Sequence, residues 1–141
     1  MDLRNFPGRE EGRAEVGGST ARREERITVM DFRKMAEGLG LGYHEFLDLL
    51  GLFVSTGRHD LEKLREALET EHFPGVAAAA HSITGASSNL GFTEIAAVAK
   101  GVELNARDET LGSAGAAISF IDDRLREIAD NLKQQEMIGG A

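Results

Sequence analysis

The chain contains no cysteine, so its four histidines, at positions 44, 59, 72 and 81, are its candidates for nucleophilic or metal-binding chemistry. An imidazole has an unperturbed pKa near ~6.5, so at neutral pH it is largely an uncharged nucleophile able to attack an electrophile such as phosphorus. His81 has the setting that favours this use. It follows four alanines in Ala-Ala-Ala-Ala-His-Ser-Ile-Thr-Gly-Ala-Ser-Ser-Asn-Leu-Gly, residues 77–91. Drawn as a helix at about 100° per residue, Val76, Ala80, Ile83, Ser87 and Leu90 form one stripe, and His81 falls roughly 160° from Ile83. A stripe that faces a core turns the imidazole to water. Its neighbours at spacings of three, four and seven are Ala77, Ala78, Thr84, Gly85 and Ser88. All are small, which leaves room for another protein to bring its own active site up to the ring.

The other histidines carry no comparable signal. His44, His59 and His72 are spaced along one predicted helix without an i,i+4 pair or a ligand cluster, so no metal site is expected. No serine is grouped with a second histidine and an acid as in a hydrolase triad, and no glycine-rich loop is present to cradle a nucleotide phosphate.

The elements that must position His81 are helical. Thr28 is a candidate cap for a short helix carrying Val29, Phe32, Met35 and Ala36, ending near the glycines at 38, 40 and 42. From Tyr43 to about Thr70, Phe46, Leu50, Phe53, Gly57, Leu61, Leu64 and Leu68 recur in steps of three or four. Gly57 costs about 1 kcal/mol relative to alanine, yet the stripe keeps its phase through it, predicting one long helix. Pro74 suits the first turn of the His81 helix, which runs to about Asn89 before Gly91 ends it. A helix from Thr93, its candidate cap, to about Arg107 buries Ile95, Val98, Ala99, Val102 and Ala106. After a turn at 108–112, Ser113 leads a last helix with Ala117, Ile118, Ile121, Leu125, Ile128 and Leu132. The expected fold is all-α: an antiparallel four-helix bundle with a short additional N-terminal helix. Residues 1–26 read as a flexible charged tail or linker, 27–135 as the bundle and 136–141 as a frayed end.

Composition narrows the function. Sixteen basic against 24 acidic residues give a formal charge of −8, which opposes a nucleic-acid partner because a phosphate backbone demands a positive patch. Disulfides, zinc ribbons and thiol catalysis are excluded without cysteine. The N-terminus has no apolar signal region and no run of about 18 apolar residues occurs, so the expectation is a cytoplasmic chain without membrane insertion.

The residues around His81 resemble the histidine phosphotransfer (HPt) domains of two-component phosphorelays, which carry His-x-x-Lys-Gly on a bundle helix, followed by small residues and a Leu-Gly or Phe-Gly. The matching residues are Ala80-His81-Ser82-Ile83-Thr84-Gly85, then Ser87-Ser88-Asn89-Leu90-Gly91, Ile95-Ala96 and Val102-Glu103. The resemblance covers roughly residues 30 to 133 and implies that His81 is a phosphoacceptor. One departure stands out: the family's lysine is here Thr84, which brings no positive charge to a phosphoryl group carrying up to about two negative ones. Folding the next helix back antiparallel brings Lys100 near His81 as a candidate substitute cation. Glu103 lies 22 residues after the histidine, where relatives carry a Glu or Gln that hydrogen-bonds Nδ1 and leaves Nε2 to take the phosphoryl group. An acceptor on one nitrogen selects the tautomer and raises the nucleophilicity of the other.

The resemblance implies a phosphocarrier rather than a true enzyme. Its expected partners are a response-regulator receiver domain and a histidine kinase or hybrid kinase. It would have no cofactor of its own, Mg²⁺ residing on the receiver. Gly85 would open the approach to His81, with Ala77, Ala78 and Ser88 around it as docking surface. The alternative is an HPt-like module that binds receivers with weak or no transfer because the motif lysine is missing.

Overall fold

The computed structural model describes residues 29–139, which form five helices: α1 Phe32–Leu39, α2 Tyr43–Glu69, α3 Phe73–Asn89, α4 Thr93–Arg107 and α5 Ala114–Gly139. Short connections make consecutive helices antiparallel, and α2, α3, α4 and α5 pack in a ring, each against the next and α5 against α2. Phe46, Leu50, Leu61, Leu64, Val76, Ile95, Ile121, Leu125 and Ile128 fill the centre. The expected tail at residues 1–26 and the candidate cap Thr28 lie outside the described residues.

Local chemistry sets the helix ends, in several places differently from expectation. α1 is capped by Asp31, whose carboxylate accepts the Lys34 N–H at 3.0 Å, so Val29 precedes the helix and is exposed. It stops at Gly40, which takes a left-handed φ of +74° while the Leu41 amide reaches back to Ala36 O. His72 is not on the long helix: α2 ends at Glu69, and the His72 Nδ1 caps α3 by accepting the Gly75 N–H at 3.0 Å. Thr93 does not cap α4. Phe92 holds the cap position without a side-chain bond, and its ring stacks on Phe53 at 5.3 Å between centroids. At the other end, α5 continues to Gly139, because Lys133-Gln134-Gln135-Glu136-Met137 are good helix formers with no breaker among them.

Gly57 sits inside α2 for a packing reason. It is buried, and a Cβ placed there would lie 3.1 Å from Leu125 Cδ1 on α5. The missing side chain lets α2 and α5 approach closely. α1 lies outside the ring, with Phe32 edge-on to Phe46. The segment around it is tied to α5 by Met30 N–H donating to Asn131 Oδ1 at 3.0 Å and by the Tyr43 hydroxyl donating to Gln135 Oε1.

Candidate functional site

α3 presents two unlike faces. Val76, Ala79, Ala80, Ile83 and Ser87 are buried, whereas the His81 side chain is 68% exposed. Ala78, Gly85 and Ser88 lie exposed on the same side, and Thr84 is half-buried. Ala77 departs from expectation: it is buried. Alanines on α3 and α4, Ala77, Ala80, Ala96 and Ala99 among them, let the two helices pack closely, and α4 covers that edge of the face. Ala77 therefore offers no docking surface. The same closeness brings an α4 side chain within reach of the imidazole.

That side chain is Glu103. Its Oε2 lies 3.1 Å from His81 Nδ1, and the glutamate is only 2% exposed. Arg107, one turn further along α4, donates to the same oxygen through Nε at 3.2 Å and Nη2 at 2.7 Å. Lys100, one turn back, holds Nζ 3.6 Å from the other carboxylate oxygen, Oε1, which is buried without a hydrogen bond. The Arg107 hydrogen bonds hold the Glu103 carboxyl below its ordinary range against the opposing effect of burial, helped by His81 and by the charge of Lys100. An ionised carboxylate only accepts hydrogen bonds, so Nδ1 is the donor. In the neutral ring this places the free electron pair on Nε2.

Thr84, where the resemblance leads one to expect a lysine, adds little polarity outward. Thr84 Oγ1 donates to Ala80 O at 2.8 Å, so its one hydroxyl proton is used within the helix. Gly85 stands in open space, with nothing within 4 Å of an added Cβ. On the α2 side of His81, Ser82 Oγ donates to the buried Asp60 Oδ2 at 2.7 Å, linking α3 to α2 beside the site.

Two features were missed in the sequence. Arg107 had a readable signal, since a Glu followed four residues later by an Arg shares one helix face. The Asp60–Ser82 bond had none, because it joins two helices. Among the described residues, no cluster of His, Asp and Glu is arranged to hold a metal ion, and no helix is long and apolar enough to cross a membrane.

Comparison with known proteins points to one family. The family profile of the Hpt domain matches residues 48–135. The structure is similar to that of histidine-containing phosphotransfer protein B from Pseudomonas aeruginosa PAO1, with a TM-score of 0.67 and 28% sequence identity, over 78% of this chain and 96% of that one. No curated protein matches the chain.

Proposed function

The chain belongs to the Hpt domain family, and from that premise we propose that His81 is the residue through which it serves as a phosphorelay intermediate, exchanging a phosphoryl group with a receiver-domain aspartate. The observation that carries this reading is an exposed imidazole whose Nδ1 faces a buried carboxylate at 3.1 Å. The Nε2 electron pair attacks the phosphorus of an aspartyl phosphate. The N–P bond forms, the P–O bond breaks and the aspartate leaves as a carboxylate. Nδ1 keeps its proton, so the ring gains positive charge as the bond forms, and Glu103 beside it stabilises that charge. In the reverse direction the protonated ring is the leaving group. Lys100, half-exposed and without a hydrogen bond to Glu103, is the cation that would turn toward the phosphoryl group in place of the family's lysine.

In this reading the chain is a carrier rather than an enzyme, working in the cytoplasm. A receiver supplies Mg²⁺ and most of the stabilisation of in-line transfer, and a histidine kinase or hybrid kinase loads the relay. Docking uses Ala78, Gly85 and Ser88 together with a neighbouring apolar groove of about 520 Å³ lined by Leu49, Leu52, Phe53 and Leu90. A module that binds without transfer is not favoured, given the likeness to a phosphotransfer protein. The test is to incubate the chain with a phosphorylated receiver and score acid-labile, base-stable label. His81→Gln is expected to abolish labelling. Label that persists in His81→Gln overturns the reading.

A further inference from the structure

Glu103 is asked to do two things that conflict. It must stay ionised and fixed so that it accepts the Nδ1 proton of His81, yet it is 2% exposed, where an uncompensated carboxylate is costly. Its Oε1 has no hydrogen bond. The contact to His81 is a single bond to an exposed ring, too weak a tether to hold a side chain with three rotatable bonds. What holds Oε2 in place is the two-pronged guanidinium of Arg107, donating at 2.7 and 3.2 Å to the oxygen that faces Nδ1.

Building on the assignment of His81 as phosphoacceptor, we propose that Arg107 is a positioning residue for phosphotransfer, which locks the Glu103 carboxylate against His81 and thereby selects the tautomer with Nε2 free. The two cations on this carboxylate then have separate tasks. Arg107 has two donors committed to Oε2, and a planar fork gives a fixed orientation. Lys100 stands 3.6 Å from Oε1 as a point charge without a hydrogen bond and remains available for the incoming group. Without Arg107, Glu103 rotates toward Lys100 and leaves Nδ1. The imidazole proton then distributes between the two nitrogens, and the fraction of rings with an electron pair on Nε2 falls.

The experiment uses the full chain with ¹⁵N-labelled histidine, at about two units above the ordinary imidazole pKa of ~6.5, and compares wild type, Arg107→Ala, Arg107→Lys, Glu103→Ala and the Arg107→Ala/Glu103→Ala double variant. The wild-type His81 resonances should report the Nδ1–H tautomer, Arg107→Ala a mixture of both, and Arg107→Lys a partial return. Phosphoryl uptake from a phosphorylated receiver should fall about tenfold in Arg107→Ala, the scale on which groups that orient a functional imidazole act. Adding Arg107→Ala to Glu103→Ala, which leaves no acceptor to position, should cost nothing further. An unchanged tautomer ratio in Arg107→Ala overturns the proposal. So does an equal loss of uptake in the Glu103→Ala background, which would make Arg107 a direct contact of the receiver. A wild-type chain that takes no label but whose tautomer still responds to Arg107→Ala sinks the phosphotransfer reading and upholds the placement of the ring by Arg107.

Discussion

Two of the glycines inside helices of this bundle, Gly57 and Gly85, sit in opposite surroundings. Gly57 on α2 is buried, and a side chain there would meet Leu125 at 3.1 Å; Gly85 on α3 is exposed, and an added Cβ would meet nothing within 4 Å. The first removes a side chain so that two helices of the same molecule can touch. The second has no such use within the chain. Helical side chains lean toward the N-terminus, so one at position 85 would lie over the turn that carries His81. Intramolecular packing explains the seam at Gly57, whereas no packing contact calls for a glycine at position 85, and in the proposed reading its opening serves the approach of a receiver.

The contrast breaks most readily at the seam. Gly57→Leu should destabilise the fold by about 3 kcal/mol, because the overlap with Leu125 outweighs the gain in helix propensity of roughly 1 kcal/mol. Gly85→Leu should leave stability unchanged or raise it by up to about 1 kcal/mol, since it gains the propensity without the clash. Urea unfolding of the two variants decides this, and equal losses would mean that Gly85 also packs within the bundle.

The next effect sharpens what the opening is for. Gly85→Leu should slow transfer from a phosphorylated receiver about tenfold, near 1.4 kcal/mol of barrier, while labelling by phosphoramidate should fall by less than about threefold. A small donor passes a leucine that a docking protein cannot. Equal slowing with both donors would show that the leucine disturbs the imidazole itself.

Much of this contrast could be read in the sequence, and the unread parts share a cause. The helical period placed His81 opposite Ile83, and it carried the α2 stripe through Gly57. It could not say why Gly57 is a glycine, since the answer is Leu125 on a helix far along the chain. It put Ala77 on the open face because a helical wheel knows nothing of the neighbour that covers one edge. The resemblance to HPt domains pointed to the pair of Glu103 and His81, but the burial of Glu103 and its Arg107 clamp depend on how closely α4 packs on α3. Period and spacing resolve which side of a helix faces inward; the distance to the next helix is a property of the assembled core.

The smallest expected effect separates the two regions by their response to acid. The Gly57 seam is apolar, so its contribution to stability does not change with pH. The α3–α4 face contains Glu103, whose carboxyl is held below the ordinary value of 4.5 by Arg107 first, then by His81 and Lys100. A depressed folded-state pKa means that the unfolded chain binds the proton more tightly. The resulting stabilisation is fully present above the ordinary value and is lost as pH falls through the lower folded one. Comparing urea unfolding of wild type and Glu103→Gln should therefore show a difference that is constant near neutral pH and shrinks below about 4.5, whereas the difference between wild type and Gly57→Leu should hold across the same range. A Glu103→Gln difference that stayed flat into acid would mean that Arg107 does not pair with the carboxylate in solution. The imidazole would then have to find its orientation from some group other than this clamp.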